Sequence, residues 1–254
     1  MLNKIERNPI IALRIAITFL TCIPVVSKTH NGNVLLSSTV WMFPVVGAVL
    51  GICGAIVFLL CDIIGLPPEI TAVVTIVAMY VLTGGLHEDA LSDVADGFGG
   101  GASRERKLAI MRDSQIGSYG AAAIAFSILF RVMAIATFSD FNAVFPVLVT
   151  MGSLSRGALA LVMAGLPFAR KDGLSVDAGR PEYDHAILSL TIAVFLSWFM
   201  VGFISTVLVF VLTCFVIVGV IFLANRQIGG QTGDVLGTVV QVVEVLVLGA
   251  LSIS

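Results

Sequence analysis

Apolar residues in this chain fall in long, almost charge-free runs at about 37–61, 70–86, 117–138, 143–166, 186–224 and 235–254. Arg131, Arg156 and Glu244 are single interruptions. Runs of this length match the roughly 20 residues that an α-helix needs to cross a bilayer. The run from Ala186 to Ala224, 39 residues, is about twice that and predicts two helices turning near Gly202. Seven transmembrane helices result. A first apolar segment, about Ile10 to Val26, carries Arg14 in its middle and Pro24 near its end, and reads as interfacial or re-entrant.

Composition agrees. Hydrophobic residues make up 58% and charged residues 12% of the chain, with a mean hydropathy of +1.06, outside the range of soluble domains. The expected fold class is an all-α polytopic integral membrane helical bundle, one membrane-embedded catalytic domain over residues 1–254. No repeat, soluble domain boundary or cleavable signal pattern stands out, and nothing calls for nucleic acid. Cys22, Cys53, Cys61 and Cys214 lack C-x-x-C spacing and read as small buried hydrophobes.

The basic residues add direction. Arg104, Arg106, Lys107 and Arg112 share one connection, Arg170, Lys171 and Arg180 another, Arg226 opens a third, and Lys28 precedes the first firm span. The alternate connections near 62–69, 139–142 and 202 hold none. By the positive-inside rule the basic loops face the cytoplasm.

Candidate chemistry gathers on that side. Glu88, Asp89, Asp93 and Asp96 place four carboxylates within nine residues. On a helix Asp89, Asp93 and Asp96 fall within roughly 60° of one another. Carboxylates so placed raise one another's pKa unless a hard cation such as Mg²⁺ neutralises them; a solvated acidic loop is the plain alternative. Gly97-Phe98-Gly99-Gly100-Gly101 follows, a run seen at phosphate sites and in flexible turns alike. Arg104, Lys107 and Arg112 suit phosphate neutralisation, and also suit topology alone. In Asn225–Asp234 a third polar region leads into a helix where Asp234, Thr238 and Gln241 share one face, which must meet protein or water. Asp234 there is either a ligand or an ordinary N-cap. Intramembrane Arg14, Arg131, Arg156 and Glu244 are functional candidates or buried pairs. His87 adjoins the acids as base or ligand; His30 and His185 read as bland.

Six ordered blocks then carry a resemblance: Phe19–Val25, Phe43–Gly47, Gly84–Asp89 through Ala95–Gly97, Ile110–Gly120, Leu154–Arg156 and Gly230–Gly237. Together they closely resemble the cobalamin synthase family, adenosylcobinamide-GDP ribazoletransferases. The resemblance implies a Mg²⁺-dependent enzyme of the bacterial inner membrane that joins adenosylcobinamide-GDP to α-ribazole, or its 5′-phosphate, and releases GMP. It implies Glu88, Asp89, Asp93 and Asp96 on the metal, and Asp113 or His87 as acceptor of the hydroxyl proton. Gly97, Gly99, Arg104, Arg112, Ser114, Arg156, Arg226, Thr232 and Asp234 would bind substrate; self-association stays open. Asp93-Val94-Ala95-Asp96-Gly97 also looks like the D-x-x-D-G opening of CDP-alcohol phosphotransferases, but the Ala-Arg expected after the glycine is absent and only Asp113 follows. An ion-coupled carrier is the distant alternative; its acids would gather at the bilayer midplane.

Overall fold

A computed structural model describes residues 8–25 and 36–253. Lys28, His30 and the end of the first apolar segment lie outside the described residues. The elements are α1 (Pro9–Leu20), a 3-10 segment (Leu36–Met42), α2 (Phe43–Ile63), α3 (Pro68–Thr83), α4 (Leu86–Gly100), α5 (Arg104–Ile110), α6 (Ser118–Ala136), α7 (Phe141–Gly165), α8 (Leu174–Ala178), α9 (Tyr183–Ile228) and α10 (Gly233–Leu251). Proline stands in the first two positions of α1, α2 and α3, where a helix has no internal partner for the missing N–H.

Five of these helices, with α9 taken as one, are long and apolar enough to cross a membrane. α3 joins them only together with α4, from which it is bent by 89°. Length decides the status of α9: a straight helix of 46 residues would run about 69 Å at 1.5 Å per residue. Both of its ends, however, meet the same segment. Arg180, just before it, donates to the Ala164 carbonyl, and Gln231, just after it, exchanges backbone hydrogen bonds with Pro167 and Ala169. The chain doubles back at Gly202, whose φ of 76° and ψ of 174° interrupt the helix. The spanning segments are therefore α2, α6, α7, the two arms of α9 and α10, six in all, and the seven that the run lengths predict are reached only if the bent pair of α3 and α4 counts as one more. α1, with 12 residues, is too short to cross, in keeping with an interfacial or re-entrant segment. Its end is tied to the foot of α3 by the Cys22 N–H on the Leu82 carbonyl, 2.8 Å.

α7 is the axis of the bundle: 94% of its most apolar stretch is buried, with α2, α9 and α10 packed around it. Gly47 of α2 and Gly152 of α7 make the closest approach, since a methyl group on either would strike the facing backbone carbonyl. Small residues at such crossings let helices gain packing that lipid cannot supply. The cysteines correct an expectation. All four are free, but only Cys61 is buried, and Cys22 is exposed beside the α3–α4 junction.

Candidate active site

Gly84 and Gly85 both adopt left-handed φ, 66° and 69°, a conformation that a Cβ makes costly. The pair ends α3 and turns α4 by 89° across the basic end of the bundle. α4 is held there by α10, where Gly237 leaves room for Ala90 and the Thr238 hydroxyl donates to the Ala90 carbonyl at 3.1 Å. The polar stripe of α10 faces protein as its spacing requires: Gln241 accepts from Ser127 at 2.8 Å.

A cleft of about 700 Å³ opens between α4, α10 and the 170–175 loop, with His87, Asp89, Arg170, Thr232 and Asp234 in its walls. Thr232 is the N-cap of α10, accepting from the Val235 N–H at 3.3 Å, and its hydroxyl donates to the Asp234 carboxylate at 3.1 Å. Asp234 is thus not the cap, and its carboxylate is turned to Arg170 at 3.6 Å. The Asp93 carboxyl is pushed up to about 7, first by burial and then by the charges of Asp234, Asp89 and Asp96, with Arg170 opposing. Burial, followed by the neighbouring Arg156 and Arg131, drives His87 well below its ordinary value and keeps the ring neutral. Neither ring nitrogen has a hydrogen-bond partner among the described residues.

Several expected site residues lie elsewhere. Asp96 is buried, and its two oxygens accept the Gly117 and Gly120 N–H groups at 2.7 and 2.9 Å, holding the start of α6 as a carboxylate suits a helix N-terminus. Glu88 points into the bundle and pairs with Arg131 at 3.0 Å. The expected four-acid metal face is therefore divided. Among the described residues no three of His, Cys, Asp and Glu are gathered as a preformed metal cluster. Asp89, Asp93 and Asp234 are the acids whose charges still act on one another; as oxygen donors they suit a hard cation by type, but they are not drawn together around one in this arrangement.

The glycine run is not a phosphate loop here. α4 continues helical to Gly100; Gly97 packs against Met111 and Gly99 against Tyr119. Arg104 clamps backbone, donating to the Ile228 and Ala169 carbonyls at 2.7 and 2.9 Å. Arg112, by contrast, sits at the rim of the cleft: it pairs with Asp172 of the cleft wall, and its charge reaches Asp234 and Arg170. Asp113 accepts from the Gln115 N–H at 3.1 Å on an exposed turn that also holds Ser114, and neither lines the cleft. Arg226 is exposed at the end of α9. Arg156 is 1% exposed and pairs with Glu244, which also meets Arg131 at 3.0 Å. Glu88, Arg131, Glu244 and Arg156 form one buried chain of alternating charge, the pairing alternative for the intramembrane charges.

Over residues 12–252 the sequence matches the family described as cobalamin-5-phosphate synthase. The chain belongs to that family. It is 41% identical to an adenosylcobinamide-GDP ribazoletransferase of Azorhizobium caulinodans, with 84% of this chain and 83% of the relative covered. Proteins of the same name from Mesorhizobium japonicum and Bradyrhizobium diazoefficiens are 40% and 37% identical, with 94% and 95% of this chain and 92% and 93% of each relative covered. No solved structure matches. In this cobalamin-5-phosphate synthase family member the cleft acids Asp89 and Asp234 lie at the basic end, while the acids inside the bundle, Glu88 and Glu244, are held in ion pairs. Arg170 is the cleft residue that sequence reasoning did not single out. In the sequence it is one of three basic residues in a loop, and only the pairing of Phe168 with Gln231 brings it to Asp234.

Proposed function

We propose that this protein joins adenosylcobinamide-GDP to α-ribazole, or its 5′-phosphate, with release of GMP. Family membership supports the reaction class. The observation that carries the site is the meeting of Asp89 from α4 with Asp234 from α10 and Arg170 from the 166–173 connection in one cleft, with Asp93 beside it, close enough to feel the charge of all three. The acceptor hydroxyl attacks the phosphorus that bears the cobinamide. The new O–P bond forms, the P–O bond to GMP breaks with its electrons leaving on GMP, and the hydroxyl proton passes to a base.

Chemistry of this kind rests on positioning and charge neutralisation. Asp89, Asp93 and Asp234 would hold Mg²⁺, which when bound supplies neutralisation of the diphosphate oxygens. Arg170 orients Asp234 and counters phosphate charge. For the proton, the neutral, unpartnered ring of His87 in the cleft wall suits the role better than Asp113, which lies outside it.

Purified protein given adenosylcobinamide-GDP, α-ribazole and Mg²⁺ should release GMP, and a chelator should stop it. CDP-diacylglycerol should yield no CMP. No GMP, or release indifferent to chelation, overturns the reading. We further infer a bacterial inner-membrane location with the cleft toward the cytoplasm, on the ground that the described basic connections share its end. A thiol reagent should reach Ala102→Cys only from the cytoplasmic side and Asn142→Cys only from the other; the reverse pattern would sink this orientation.

A further inference from the structure

A second cavity, about 1210 Å³, lies on the other side of the first turn of α4. Its walls are Tyr80, Thr83 and Gly84 at the foot of α3, Ile124 and Ile128 two turns into α6, and Cys22 beyond α1. It shares Phe19, Leu86 and Asp89 with the cleft already described. Those three residues form the partition between two chambers, and Asp89 is its acid.

The chambers differ in chemistry. The first holds Arg170, Asp172, Thr232 and Asp234. In the second the charged groups are Glu88, already paired with Arg131, and the shared Asp89; the rest is apolar or hydroxylic. It adjoins the lipid-facing side chains of α3, with Val77 and Val81 53% and 64% exposed. They differ in size as well. A corrinoid macrocycle bearing its adenosyl ligand is several times larger than a nucleoside and needs the wider chamber.

Resting on the transferase reading above, we propose that the two cavities divide the substrates. The wider chamber between α3 and α6 seats the macrocycle of the corrinoid donor, and the cleft lined by Arg170 and Thr232 seats the nucleoside acceptor. Their reacting groups meet from opposite sides at Asp89.

Cys22, exposed in the wall of the wider chamber, is a native reporter. In full-length protein with Cys53, Cys61 and Cys214 changed to Ala, maleimide labelling of Cys22 should slow about tenfold when adenosylcobinamide phosphate is present at ten times its Kd, by simple occupancy. α-Ribazole should leave the rate unchanged. Independently, Ile128→Trp should raise the KM for the corrinoid donor about tenfold with the acceptor KM unchanged, and Leu174→Trp should do the opposite. Protection of Cys22 by α-ribazole, no protection by the corrinoid, or both variants acting on the same KM overturns the division. Absence of GMP release from the wild-type protein overturns the transferase reading instead, so the two failures are distinct.

Discussion

Two groups of acids and arginines lie within this apolar protein, and they are built in opposite ways. The chain Glu88–Arg131–Glu244–Arg156 is buried, alternates in sign and balances two charges of each kind. At the cleft Asp89 and Asp234 stand with Arg170, and Asp93 beside them adds a third carboxyl, which leaves an excess of acids. A buried charge costs several kcal/mol unless it is paired, so the first group satisfies its own electrostatics. The second does not, and an unmatched cluster beside an open cleft calls for a cation from outside. Charge balance thus separates the part that holds α4, α6, α7 and α10 together from the part proposed to take substrate and metal.

The largest effects should come from breaking the balanced group. Glu244→Leu leaves Arg156 without a carboxylate partner in the core and Arg131 with Glu88 alone, and loss of one partner of a buried pair costs on the order of 3–5 kcal/mol. Thermal unfolding in detergent should show a large drop or no folded protein at all. A Glu244→Leu variant as stable as wild type would mean that the chain of charges is not what fastens these helices.

The unbalanced group should respond the other way. Asp89→Asn, Asp93→Asn and Asp234→Asn each remove repulsion, so the Tm should hold or rise, while turnover falls by at least about 10²-fold, close to 2.7 kcal/mol of barrier. Equal stability losses in both groups, or full activity of all three variants at limiting Mg²⁺, would erase the contrast.

Acidity sharpens it further. A carboxyl pushed up to about 7, as Asp93 is, is protonated below that pH, and a metal requires the carboxylate. Affinity for Mg²⁺ should therefore be full above pH 7 and be lost as pH falls, by up to about tenfold per unit. Metal titrations of GMP release between pH 5.5 and 8.5, about the window over which such a group titrates, should show this slope. Asp93→Asn should flatten it.

How much of this was legible in the sequence depends on what a helix pattern can encode. Run lengths fix the number of crossings, and the doubled run already contained the turn at Gly202. The stripe of Thr238 and Gln241 was read correctly as facing protein. The acids were not read correctly as a set. Spacing of i, i+4 and i+7 fixes their azimuth on α4 but not which neighbour stands at that azimuth. α10 flanks one edge of the stripe and α6 the other, so Asp93 faces Asp234 while Asp96 is consumed by the Gly117 and Gly120 amides. Glu88, one residue from Asp89 and so about 100° around the helix, meets Arg131. The arginines went astray for a related reason. A guanidinium that clamps carbonyls, as Arg104 does, and one that faces a cleft, as Arg170 does, are identical in a loop read without its partners.

The smallest effect concerns Thr232, where the two kinds of role meet in one side chain. Its oxygen caps α10 and its hydroxyl hydrogen bonds Asp234, so it joins the scaffold to the unbalanced cluster. Thr232→Val removes both bonds at nearly constant volume. Loss of a cap costs about 1 kcal/mol, which should appear as a modest fall in Tm. If the hydroxyl also fixes the Asp234 carboxylate, turnover should fall several-fold beyond any loss of folded protein, on the order of one neutral-to-charged hydrogen bond of 1.5–3 kcal/mol at most. Thr232→Ser retains cap and hydroxyl and should restore both. The companion change Asp234→Ser leaves the cap at Thr232 intact, so Tm should hold while activity is lost. Were Asp234→Ser to lower Tm as Thr232→Val does and spare turnover, Asp234 would belong with the scaffold, and the cluster at the cleft would reduce to Asp89 and Asp93.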